Sequence, residues 1–256
     1  MSELTARLDK QLQELKLKGL IPVYKSIAEQ AGKKKLNYLE FLSILLEEEI
    51  ERKKDGSIKA KVAKARFPFF KTMEAFDFSY QPGLNEKEVL RLASLEFIDR
   101  KDNGIFLGPP GVGKTHLAVA LGVKACNAKY RVNFISASDL LKELQLAWKG
   151  GILTDRLLYY SRLNLLIIDE LGYIKINQEQ SNLLFQLISM RYEKGSIILT
   201  SNYGFDDWSK VFDDSIVASA IIDRVIHHSV IFYINGASYR LKNKLDNFSS
   251  ERGGQK

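Results

Sequence analysis

Through the first fifty residues apolar positions recur at three- and four-residue steps, at Leu4, Leu8, Leu12 and Leu15 and again at Phe41, Leu42, Leu45, Leu46 and Ile50. That period belongs to helices with one buried face. Gly19-Leu20-Ile21-Pro22 interrupts the first helix and Gly32 with Lys33-Lys34-Lys35 the second, so a small all-helical module of three helices is predicted, reaching residue 66. Its third helix is acidic at Glu47-Glu48-Glu49, read as a solvated face, and a basic segment follows. Phe67-Pro68-Phe69-Phe70 and Pro82-Gly83 predict irregular chain, because proline cannot continue a helix and biases its predecessor towards extended geometry. A helix from Glu86 to Ile98 follows, with Val89, Leu90, Leu92, Leu95 and Ile98 as its stripe.

From Gly104 the pattern changes to short apolar runs alternating with amphipathic helices, the mark of a parallel sheet with crossover helices. Strands are predicted at Ile105–Leu107, Arg131–Ser136, Leu165–Asp169, Ser196–Ser201 and Val230–Ile234. Helices are predicted near Lys114–Cys126, Ser138–Trp148, Gln178–Tyr192 and Asp214–His227. The organisation is therefore a helical domain over 1–66, an α/β domain with a five-stranded parallel sheet over 67–247, and a polar tail over 248–256.

Composition fits a globular chain: 256 residues, 45% apolar and 27% charged. A net charge of +7 and a pI near 9.2 favour an acidic partner, nucleic acid first. The excess is concentrated between Arg52 and Lys71, where eight cations face one acid, Asp55. That run could hold nucleic-acid phosphates, pair with an acidic protein surface, or simply solubilise a face. The lone Cys126 forms no internal disulfide, and His116, His227 and His228 lack ligand-spaced cysteines or acids, so structural or surface roles are expected for them. No apolar run approaches the roughly 18 residues of a membrane span, and the start lacks a signal-peptide pattern. A soluble protein of the reducing cytoplasm is expected.

Gly108-Pro109-Pro110-Gly111-Val112-Gly113-Lys114-Thr115 fits the phosphate-loop pattern completely, and it lies between a predicted strand and a predicted helix. Glycines let the backbone curl so that successive N–H groups and the helix N-terminus face phosphates. Lys114 would reach the β- and γ-phosphates of ATP, and the Thr115 hydroxyl would ligate Mg²⁺. Leu165-Leu166-Ile167-Ile168-Asp169-Glu170 reads as a buried strand delivering two carboxylates at its C-terminal end. Asp169 would hold Mg²⁺ or its waters, and Glu170 would orient and deprotonate the attacking water. Asn202, after the apolar strand ending in Thr200-Ser201, is either a turn former or a side chain that positions water against the γ-phosphate.

Together these motifs resemble the AAA+ ATPases of the DnaA/DnaC-like clade. Ala65-Arg66-Phe67-Pro68, Phe76-Asp77-Phe78, Gln81-Pro82-Gly83-Leu84, Gly113 to Ala118, Ile222-Asp223-Arg224 with His227-His228, and Ser238-Tyr239-Arg240 are similar to the IstB-type transposition helper ATPases of bacterial insertion sequences. The likeness runs over nearly the whole chain. It implies that Arg224 is an arginine finger presented to a neighbouring subunit's nucleotide and that Arg240 is a second sensor in the same subunit. It also implies that Phe76 and Phe78 flank the segment covering the adenine, and that His116 belongs to the nucleotide-binding loop. Only 54 residues follow Asn202, so no separate C-terminal lid is expected.

The implied activity is Mg-dependent hydrolysis of ATP. The implied function is assembly on target DNA as a homo-oligomer, with recruitment or stimulation of the cognate transposase. Lys53, Lys54, Lys59, Lys61 and Lys64 would then contact phosphates of double-stranded DNA with little sequence preference. A DnaC-like helicase loader is the alternative, differing in the partner of the helical module, and a nucleotide-gated binding module without turnover is a third.

Overall fold

A computed structural model describes residues 3–239 and, within them, all side chains except those of Lys54 and Ser209. The expected tail over 248–256 and Arg240 lie outside the described residues. The chain divides into two compact units after residue 60.

The first unit holds α1 (Glu3–Glu14), α2 (Tyr24–Lys34) and most of α3 (Tyr38–Lys64). Asn37 starts α3 through a reciprocal cap: its Oδ1 accepts from Glu40 N at 2.9 Å, and its own N–H donates to Glu40 Oε2 at 2.8 Å. Leu20, Tyr24 and Ala31 are buried, whereas Leu4, Leu15, Tyr38, Leu39, Leu42 and Ile50 are exposed. Glu49 departs from the expected solvated acidic face. It is 4% exposed, its Oε1 lies 3.4 Å from Lys53 Nζ, and it packs so tightly on Gly19 that a Cβ there would meet its Oε2 at 2.5 Å.

Ala65 is fully buried in the core of the second unit, and its carbonyl accepts from Phe134 N at 2.7 Å. Irregular chain follows, as the prolines predict. The helix predicted over 86–98 is two, α4 (Glu86–Leu92) and α5 (Glu96–Arg100), because Leu95 turns left-handed at φ 70°. The break lets Leu92, Leu95, Phe97 and Ile98 all face the core, which one straight helix could not do.

Five strands, β1 (Asn103–Leu107), β2 (Val132–Ser136), β3 (Leu165–Leu171), β4 (Ser196–Ser201) and β5 (Ser229–Tyr233), form a parallel sheet in the order β2-β3-β4-β1-β5. The crossovers run through α6 (Lys114–Asn127), α7 (Ala137–Lys149), α8 (Leu153–Ser161), α9 (Gln178–Arg191) and α10 (Ser215–Ile226). Strand residues alternate between two apolar layers. Phe106, Phe134, Ile167 and Ile198 pack with α4, α5 and α6, while Ile105, Leu107, Ile168 and Leu199 pack with α7, α8, α9 and α10. A sheet covered on both faces explains why its strands read as continuous apolar runs.

α8 was not predicted. Gly150 and Gly151 end α7, and Leu157 and Tyr160 anchor α8 in the second layer. Arg191, 0% exposed, donates to the carbonyls of Tyr160, Leu163 and Ser196, and so ties α8 and β4 to the end of α9. No described helix is long and apolar enough to cross a membrane.

Candidate functional site

The C-terminal ends of β1, β3 and β4 meet at one edge of the sheet, where open α/β sheets place their ligands. Beyond β1 the loop from Gly108 to Gly113 leads into α6. Gly108 (φ 147°) and Gly113 (φ 104°) take backbone conformations that L side chains rarely adopt. There is also no room for a side chain: a Cβ on Gly108 would lie 2.1 Å from Ile234 O, and one on Gly113 would lie 2.6 Å from Phe76 Cε2. Val112 anchors the loop by inserting into the core.

Lys114, 7% exposed, turns its ammonium back under the loop. Nζ donates to Gly108 O at 2.6 Å, to Pro109 O at 2.8 Å and to Asn202 Oδ1 at 2.7 Å. The amide that follows β4 therefore touches the lysine of the loop directly. Beside it, Thr115 Oγ1 donates towards both carboxylate oxygens of Asp169, at 3.0 and 3.2 Å. This hydroxyl and this carboxylate are hard oxygen donors, side by side next to a phosphate loop, and they fit Mg²⁺. Burial pushes the Asp169 carboxyl above its ordinary pKa and Glu170 adds to the rise, while hydrogen bonds from Thr200 and Thr115 and the charge of Lys114 oppose it.

Glu170 projects from a local irregularity in β3. The register between β3 and β4 shifts between Ile168 and Leu171, and Glu170 takes φ 60°. Bulges of this kind re-aim side chains, and here Asp169 is buried while Glu170 is exposed to the cleft. One residue holds both. Thr200 Oγ1 donates to Asp169 Oδ1 at 2.5 Å and accepts from Glu170 N at 2.9 Å. Sequence reasoning missed Thr200, although a hydroxyl inside the apolar run of β4 was a signal.

These groups open into a cleft of about 1340 Å³ lined by Pro110, Gly111, Gly113, Lys114, Thr115 and His116, by Asp169, Glu170 and Asn202, and by Phe76 and Tyr239. Gly108 and Pro109 contribute through their carbonyls to Lys114. Phe76 packs edge-on against His116 and Tyr239, with ring centroids 5.2 and 5.7 Å apart. Phe78 lies behind Phe76, at 4.9 Å, and does not line the cleft. His116 is held by Thr72 O at 3.0 Å from Nε2, and burial lowers its pKa. Tyr239, also not anticipated, fastens the end of the described chain over the loop. Its N–H donates to Gly111 O at 3.0 Å and its hydroxyl donates to Asp77 O.

Arg224 stands apart from the cleft. On α10 its Nη1 donates to Ala220 O at 3.0 Å, its guanidinium lies 4.6 Å from the Phe185 ring centroid, and it borders a small hollow with Tyr192 and Glu193. The candidate phosphate contacts all lie on α3. Lys53 pairs with Glu49, Lys61 donates to Lys129 O, Lys59 and Lys64 are exposed, and the side chain of Lys54 is outside the described residues.

A protein of insertion sequence IS21 from Pseudomonas aeruginosa, named for ATP binding, is 48% identical over 233 residues, 91% of this chain and 88% of its own. A DNA replication initiation factor superposes with TM-score 0.54 at 23% identity, over 71% of this chain and 54% of that one. DnaA from Aquifex aeolicus bound to AMPPCP gives 0.52 at 24%, over 70% and 55%. Both likenesses establish the fold, that of the AAA+ P-loop ATPases. The family model described as IstB-like ATP binding protein matches residues 10–247, and the chain belongs to that family.

Proposed function

We propose that this chain is an Mg-dependent ATPase that assists DNA transposition by assembling on target DNA and recruiting or stimulating a transposase. The observation that carries the reading is the contact of Lys114 Nζ with Asn202 Oδ1 beside the Thr115–Asp169 pair, because it joins phosphate loop, metal donors and water-positioning amide in one cleft. The 48% identity to a protein of an insertion sequence favours transposition over helicase loading.

ATP would take the cleft with its phosphates along residues 108–115 and its base towards Phe76. Lys114 would exchange its carbonyl partners for phosphate oxygens, and Asn202, released from Lys114, would turn to the attacking water. Glu170 would accept that water's proton. Thr115 and Asp169 would hold Mg²⁺, which neutralises charge on the phosphate oxygens when bound. Arg224, remote from its own cleft, is suited to a neighbouring copy's nucleotide, and Arg240 would act within the same subunit.

Residues 67–247 would then be the ATPase domain. Residues 1–66 would serve partners: the exposed Leu39, Leu42 and Ile50 suit a protein surface, and Lys53, Lys54, Lys59 and Lys64 suit DNA phosphates. Lys61, already bonded to Lys129 O, is the weakest of the five. The site of action would be the bacterial cytoplasm.

The test is ATP turnover with and without duplex DNA. DNA-stimulated turnover that is abolished by Glu170→Gln, with nucleotide still bound, supports the reading. Turnover unchanged by Glu170→Gln or by Lys114→Ala rejects it. Co-precipitation with a transposase of the same insertion sequence tests recruitment separately.

A further inference from the structure

Away from the cleft, the fold gathers three metal-ligating side chains that the sequence keeps apart. His227 and His228 follow α10, and Glu193 sits in the turn between α9 and β4. One ligand atom from each lies within 4.8 Å of the others, and all three residues are exposed. His228 Nε2 is 3.5 Å from Glu193 Oε1, and the two imidazole centroids are 4.1 Å apart. Sequence spacing gave the histidines no acidic companion because Glu193 lies on another element.

The supports are fixed on both sides. Glu193 is held at φ 57° in a turn where Lys194 N and Gly195 N both donate to Arg191 O, and Arg191 is itself anchored to three buried carbonyls. Across the gap, His227 N donates to Asp223 O at 3.0 Å, and His228 O accepts from Asn103 N at 2.6 Å. The Tyr192 hydroxyl lies 2.7 Å from His227 Nδ1, which occupies one ring nitrogen and leaves Nε2 for another partner. A ligating imidazole ordinarily has its second nitrogen held in this way.

We propose that Glu193, His227 and His228 form a binding site for a divalent first-row transition ion, with zinc as its natural probe. Two imidazoles and one carboxylate suit such an ion, whereas the Thr115–Asp169 oxygen pair suits Mg²⁺, so the two sites differ in metal as well as place. Metal–ligand bonds of about 2.0–2.1 Å require donors about 3.4 Å apart, so the ligand atoms, now within 4.8 Å of one another, would draw together on binding. Three ligands leave one tetrahedral position for water or a donor from another molecule. The bound ion would pin the end of α10 to the α9–β4 turn, one helical turn from Arg224. The site does not rest on the ATPase reading.

The experiment titrates zinc, and cobalt(II) as a coloured probe, into untagged, chelator-stripped, full-length protein without nucleotide or DNA. One equivalent per chain is expected, with the visible absorption of tetrahedral cobalt. His228→Ala and Glu193→Gln abolish binding, Tyr192→Phe weakens it about tenfold, and Asp169→Asn leaves it unchanged. Glu193→Gln and Tyr192→Phe preserve shape, so they decide the matter even where His228→Ala disturbs folding. Absence of zinc uptake, or uptake equal in wild type and Glu193→Gln, the mark of an adventitious ion only, overturns the proposal.

Discussion

Replacing Thr200 by valine removes one hydroxyl and nearly preserves shape, yet it disturbs both carboxylates of the site. The Asp169 carboxyl loses a 2.5 Å hydrogen bond, and the Glu170 N–H loses its 2.9 Å acceptor. The left-handed backbone at Glu170 costs about 1–2 kcal/mol, and the bond from its N–H to Thr200 helps to hold it. Without that bond the peptide relaxes and carries the Glu170 carboxylate away from the position in which it is proposed to meet the attacking water. A loss of about 2 kcal/mol at the transition state is about thirtyfold in kcat. KM for ATP stays nearly constant, because the Lys114 contacts are untouched. The acid limb of the pH–rate profile moves upward, since the Thr200 hydrogen bond lowers the Asp169 pKa and its removal lets burial raise it further. Thr200→Ser keeps the hydroxyl and restores most of the rate. Steady-state ATPase assays across pH on the three proteins decide the point. A Thr200→Val protein that folds and turns over within about twofold of wild type shows that Thr200 does not position the carboxylates, and so does a Thr200→Ser protein as impaired as the valine variant.

Gly113→Ala places a methyl 2.6 Å from the Phe76 ring at φ 104°, so it lowers stability by about 1–2 kcal/mol in denaturant melts and weakens binding of a fluorescent ATP analogue. Arg191→Met leaves the carbonyls of Tyr160, Leu163 and Ser196 without their buried donor and destabilises by about 3 kcal/mol in the same melts, while the remote nucleotide loop keeps its affinity. Because the folded Asp169 pKa is raised above 3.8, its contribution to stability is fully present below the unfolded value and is lost as pH rises through the folded one. At neutral pH the nucleotide-free chain therefore carries a costly buried carboxylate, and Asp169→Asn raises its melting temperature there, with the gain vanishing in acid. A lower melting temperature for Asp169→Asn at pH 7 contradicts this.

The candidate cleft was largely legible because its parts are local. Residues 108–115 form one continuous motif, and the strands ending at Asp169 and Ser201 are apolar runs whose exits can be read directly. What escaped depends on contacts between distant segments. Thr200 acquires its role only when β4 lies beside the bulge in β3, and Tyr239 only when the chain returns over the loop. Glu193 joins His227 and His228 through tertiary packing, and Leu95 breaks an apparently continuous helix because the core demands two faces. Glu49 looked solvated beside Glu47 and Glu48, and only its packing on Gly19 removes it from water. α8, with Leu157 and Tyr160 on its buried face, is short and follows a double glycine, so its periodicity is weak.

If, as proposed, a neighbouring subunit completes each cleft, two defective proteins should complement one another when mixed. Lys114→Ala keeps Arg224 but has a crippled cleft, while Arg224→Ala keeps the cleft but lacks the proposed finger. Each alone should hydrolyse ATP poorly on duplex DNA, and an equal mixture should recover a substantial part of wild-type turnover. No recovery on mixing, or full activity of Arg224→Ala by itself, would mean that no neighbouring subunit completes the cleft.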